Sequence, residues 1–171
     1  MLLMMKVLIL LHHVNARIIQ RIHGLSGYSM KKTYLLDTNI VSEFTKENPN
    51  KQVIDFYEAR RDMCAISAIT WQELKRGVSR LSEGRKKKYL ECCLESYEEC
   101  FDVIPYDKFS ASICGEIQAR AEKDGKPLPN YDSQIAATAI ANGMVLVTHN
   151  TADFERMKEN AFLRVEDWFT A

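Results

Sequence analysis

From residue 33 to the end, the chain alternates short apolar runs of strand length with stretches of helical periodicity. Residues 33–36, 63–66, 102–105 and 144–147 read as strands, with a last short strand near Leu163 and Val165. Between them, helices are expected over 39–45, from Pro49 through Tyr57, from Ser67 through Val78, and over 85–100, 107–123 and 132–142, the last ended by Gly143. Strands separated by helices are carried back in the same direction, which builds a parallel sheet covered on both faces. The pattern predicts the α/β class.

At 171 residues the chain suits one buried core, and 46% apolar with 27% charged residues is an ordinary globular balance. Nothing divides residues 31–171, which are expected to form one domain. The apolar run at the N-terminus is interrupted by Lys6 and is too short to span a bilayer, so no membrane role is expected. Residues 1–30 are read as an N-terminal extension outside the fold, with Met30 as a natural start. The five cysteines are an odd number without a regular framework, which points to reduced thiols in the cytoplasm.

The 23 basic and 23 acidic residues balance, which excludes coating nucleic acid by bulk charge. A nucleic acid must be met by a local patch. Arg76, Arg80, Arg85, Lys86, Lys87 and Lys88 form the densest basic group, read equally as a backbone track or a solvated helix face.

Ligands of parallel α/β folds bind beyond the carboxyl ends of the strands. Asp37 follows the first strand and Asp153 the fourth; Glu73 lies early in the helix after the second strand, and Asp132 opens a helix. Each has a structural explanation: three aspartates where an N-cap belongs, and Glu73 three residues after Thr70 as in a capping box. Together, four carboxylates at one sheet edge repel one another unless a cation neutralises them, and Mg²⁺ suits an all-oxygen site.

Four segments carry a resemblance. Tyr34-Leu-Leu-Asp37-Thr-Asn39, Ser67-x-Ile-Thr70-x-x-Glu73-Leu-x-x-Gly77, Asp132-x-x-Ile135-Ala-Ala137 and Thr148-x-Asn150-x-x-Asp153-Phe resemble PIN-domain nucleases, and more narrowly VapC toxins of bacterial toxin–antitoxin pairs. The resemblance spans residues 32 to about 168. It implies an α/β/α sandwich around a mainly parallel sheet and Mg²⁺-dependent (or Mn²⁺-dependent) hydrolysis of RNA. It assigns Asp37, Glu73 and Asp132 as core catalytic and metal-holding acids and Asp153 as the fourth, with Asn39, Thr148 and Asn150 as polar support. It further implies a cognate antitoxin, docked near the active groove and reaching the acids with an Arg, and a homodimer. Residues 1–29 depart from the pattern.

The expected chemistry is in-line attack of water on a phosphodiester, expelling the 3′ oxygen and leaving a 5′ phosphate. A metal-free ribonuclease needs an acid and a base, typically two histidines, whereas residues 31–171 hold only His149. His149 is read as structural or substrate-contacting. Three alternatives stand beside the toxin: a housekeeping RNA-processing nuclease, a phosphatase with Asp37 as nucleophile, and a catalytically idle binding module. Against the phosphatase, Asn39 stands where the common haloacid-dehalogenase pattern has Asp.

Overall fold

The computed structural model describes residues 31–158 and 162–170. The reading of residues 1–30 as an extension lies outside the described residues. Five strands form one sheet: β1 (Tyr34–Leu36), β2 (Cys64–Ser67), β3 (Asp102–Ile104), β4 (Val145–Val147) and β5 (Arg164–Glu166). The order is β3-β2-β1-β4-β5 and every pairing is parallel. Around it lie α1 (Thr38–Glu43), α2 (Lys51–Arg60), α3 (Ala68–Ser79), α4 (Arg85–Cys100), α5 (Lys108–Lys123), α6 (Asn130–Ala141) and α7 (Thr151–Lys158).

Side chains alternate across a strand, so register sorts the core into two halves. Leu36 pairs with Ile66 and Val147 and faces α1, α2 and α4, with Trp168 closing that side. Leu35 pairs with Ala65 and Leu146 and faces α5, α6 and α7. All six strand residues are fully buried, as a parallel sheet covered on both faces requires.

The helices begin and end for local reasons. Ser67 caps α3 by accepting from Thr70 N–H (2.9 Å), and Asp107 caps α5 by accepting from Ser110 N–H (2.8 Å). Pro49 is not the first helical residue of α2. Asn50 takes the cap instead, accepting from Gln52 N–H and Val53 N–H. After α6, Gly143 adopts φ +62° while Met144 N–H returns to Ala139 C=O, so a left-handed residue closes the helix as expected. The helix α7 departs from the sequence reading, which places no element over residues 151–158. No disulfide joins the five cysteines, and Cys64, Cys93 and Cys114 are buried. Among the described residues no helix is long and apolar enough to cross a membrane.

Candidate active site

The chain moves outward from β1 to β2 and β3, then crosses back to lay β4 on the other side of β1. Connections diverge at that boundary and leave a crevice above the strand ends. Asp37 leaves β1 there, its N–H bonded to Val147 C=O (3.0 Å), and Thr148 leaves β4 beside it.

Asp37 caps α1 through Oδ1, which accepts from Thr38 N–H (2.7 Å). Its Oδ2 accepts from Asn39 Nδ2 (2.6 Å) and from the Thr148 hydroxyl (2.7 Å). Thr148 Oγ1 also accepts from Asn39 Nδ2 and Asn150 N–H, both at 3.0 Å. Asn150 Nδ2 donates to Asp153 Oδ2 (2.6 Å). Asn39, Thr148 and Asn150 therefore form a hydrogen-bonded chain that joins Asp37 to Asp153.

The other two acids differ from their sequence-level explanations. Glu73 is the sixth residue of α3, and Thr70 bonds Ser67 instead of pairing with Glu73 in a capping box. Glu73 Oε2 accepts from the Thr38 hydroxyl (2.5 Å). Thr38 was given no role by the sequence; its one signal is its place between Asp37 and Asn39. Asp132 does not cap α6 either. The cap position is Pro129 and Asp132 is the third helical residue. Asp153 is likewise third in α7. Only Asp37 is an N-cap among the three aspartates so assigned.

The acids sense one another. Burial holds the Asp132 carboxyl up at about 6, and repulsion from Asp37, Asp153 and Glu73 adds to it. A negative charge in the first turn of a helix is ordinarily favoured, so burial and three carboxylates outweigh that effect here. Asp37 is raised by burial, with its three hydrogen bonds opposing and Glu73 adding repulsion. Among the described residues no ion pair reaches any of the four acids.

This donor set fits a hard divalent cation: it is all oxygen, negatively charged and without a counterion among the described residues. Among the described residues no three acid, imidazole or thiol side chains close into a ready-made cage.

A cavity of about 190 Å³ opens from Thr38 and Glu73 between α1, α3 and α4, floored by Val41, Leu74, Val78 and Leu94. Arg76 lies in α3 and Arg85 to Lys88 open α4, two of the helices that line it, and Lys87 is paired to Glu83. A further acid, Glu43, is buried away from the crevice and holds Asn50 N–H and Lys46, a structural role in the turn between α1 and α2.

Fold and crevice together define a PIN domain. The sequence model for the PIN domain matches residues 34–160, and the chain belongs to that family. Within it, the relatives are VapC-type proteins. The chain is 32% identical over 135 residues to the tRNA(fMet)-specific endonuclease VapC of Shigella flexneri, covering 79% of this chain and 97% of that one. Toxin FitB of Neisseria gonorrhoeae is 36% identical over 124 residues, 70% of this chain and 89% of FitB. Among solved structures, FitAcB from Neisseria gonorrhoeae superposes with a TM-score of 0.73 at 30% identity, covering 81% of this chain and 100% of that chain. DNA-bound VapBC from Salmonella typhimurium gives 0.70 at 30% identity, covering 81% and 99%. The parallel α/β sandwich and the family read from the four motifs are both borne out.

Proposed function

We propose that this protein is a metal-dependent endoribonuclease, the toxin of a toxin–antitoxin pair, acting in the cytoplasm with Mg²⁺ or Mn²⁺. Residues 31–171 form its catalytic unit and residues 1–30 an extension to it. The observation that carries this reading is the gathering of four carboxylates at the β1–β4 boundary with no counterion among the described residues. The relatives named as VapC ribonucleases and endonucleases support RNA as substrate.

Asp37 and Asp132 would hold the ion, with Glu73 and Asp153 contributing to its site. When bound, the ion supplies charge neutralisation at the phosphate and acidifies a water for in-line attack. Asn39 and Thr148 fix the Asp37 carboxylate, and Thr38 fixes that of Glu73. Such donors to ligating carboxylates set their orientation. The product carries a 5′ phosphate and the leaving group is the 3′ oxygen.

The solved FitAcB and VapBC complexes support an antitoxin partner. The apolar cavity beside Glu73 offers ground for a segment that delivers a cation to the acids. Assembly as a homodimer belongs to the same reading.

The test is cleavage of total bacterial RNA by the full chain with Mg²⁺, with EDTA, and by Asp37→Asn. Asn retains N-cap capacity, so the variant removes the charge and keeps the helix start. Cleavage that falls by at least ~10²-fold in the variant, the scale of losing one group that stabilises transition-state charge, and vanishes in EDTA supports the assignment. Cleavage that survives EDTA overturns it.

A further inference from the structure

The geometry points to a base-stacking platform beside the acids, built by His149 on Phe169, which receives an unpaired RNA base next to the cleaved phosphate. This inference rests on the ribonuclease reading above. His149 follows Thr148 at the end of β4 and is fixed at three points. Its N–H donates to Asn39 Oδ1 (3.0 Å), and Asn39 also holds Asp37. Its ring Nδ1 lies 3.2 Å from Asp167 Oδ2. Its ring stacks on Phe169, with centroids 4.1 Å apart and planes inclined by 24°.

The base of this stack is rigid. Asp167 accepts from Phe169 N–H (2.8 Å) and from the Thr170 hydroxyl (3.2 Å). Phe169 packs against the core half that contains the fully buried Trp168. Three residues therefore hold His149, Asn39 at its backbone and Asp167 and Phe169 at its ring, while its side chain remains 53% exposed. One face of the ring lies on Phe169, so the exposure belongs to the opposite face and the outer edge. Because β5 adjoins β4, Asp167 and His149 leave the same end of the sheet as Asp37.

The chemistry favours a base over a phosphate as occupant. The Asp167 carboxylate beside the ring offsets positive charge there and repels an anion. The dense basic group belongs instead to the connection between β2 and β3, which the strand order puts on the other side of β1 from β4 and β5. A base needs no charge: unpaired bases stack on an exposed aromatic face whatever their sequence. The platform is one side chain removed from Asp37, through Asn39, which sets it at a nucleotide flanking the reacting phosphate.

The experiment measures cleavage of total bacterial RNA against RNA concentration, in Mg²⁺, for the full chain and for His149→Ala and His149→Phe. In His149→Ala the half-saturating RNA concentration should rise roughly 5- to 150-fold, the equivalent of losing one stacked base at about 1–3 kcal/mol. The rate at saturation should change far less. His149→Phe keeps the ring and loses both nitrogens, and should return half-saturation to within about threefold of the parent if stacking is the whole effect. A merely structural histidine would lower the melting temperature or the saturated rate without that split. Parental half-saturation in His149→Ala, or failure of His149→Phe to rescue, overturns the platform while leaving the nuclease intact. A parent chain that cuts no RNA overturns the ribonuclease reading, and the platform with it.

Discussion

The Thr148 hydroxyl joins three residues: it donates to Asp37 and accepts from Asn39 and Asn150. It is fully buried, so its removal leaves groups unpaired away from water. Thr148→Val should cost ~1–3 kcal/mol of stability. It should also weaken metal affinity by ~10–100-fold, the usual effect of losing a donor to a ligating side chain. Thermal melting and a Mn²⁺ titration check both; parental values in each would remove Thr148 from the site. Asp132 makes a pH prediction for the metal-free protein. Below pH 3.8 both folded and unfolded chains carry its proton. Between 3.8 and about 6 the folded chain keeps a proton that the unfolded chain has lost. The contribution to stability is therefore lost as pH rises through that window, with no further loss above about 6. Melting in EDTA across pH 3.8–6 tests the sign, and Asp132→Asn should flatten the slope. At this scale the sequence was legible where a residue's role follows from its place at a strand end, as with Asp37 and Thr148. The Thr38–Glu73 bond was not legible, because its partners lie 35 residues apart and meet only when α1 and α3 pack.

Helix ends are less legible in the sequence than the helices themselves, and Asp132 shows the consequence. The sequence offered an N-cap role for Asp132, yet α6 begins two residues earlier, behind Pro129. That shift moves Asp132 from a capping position to the third helical residue, with burial and three other carboxylates acting on it. The helix α7 is not legible in the sequence because its eight residues carry two large apolar signals, Phe154 and Met157, too few to define a period. Both are fully buried against the half of the core that holds Leu35 and Leu146. Tertiary packing, more than local preference, holds such a short helix. Phe154→Ala should therefore cost ~3–5 kcal/mol. Because Asp153 precedes Phe154 on the same turn, the variant should also weaken Mn²⁺ binding. Calorimetric melting and the Mn²⁺ titration read the two effects. Full parental stability would mean that α7 contributes little to the core.

At the scale of the whole molecule, alternation of strands and helices implied a parallel sheet, but nothing local dictated that β4 would return beside β1 instead of continuing past β3. Strand order is settled by long-range packing: Leu36 against Val147 on one face and Leu35 against Leu146 on the other. That return creates the crevice, and the crevice collects acids from the end of β1 and from α3, α6 and α7 that the chain scatters over more than 100 residues. The fold thus stabilises a cluster that is electrostatically unfavourable in isolation, and a cation that binds the folded chain alone must add stability. Magnesium at a hundred times its dissociation constant should contribute about 2.7 kcal/mol. For a chain of this size that corresponds to a melting temperature ~5–11 °C higher than in EDTA. Asp132→Asn should melt above the parent in EDTA, since a buried repelled charge is gone, and should respond less to Mg²⁺. A parent whose melting temperature ignores Mg²⁺ and Mn²⁺ alike would mean that the four carboxylates hold no ion, and the metal-dependent mechanism would fall even though the fold stands.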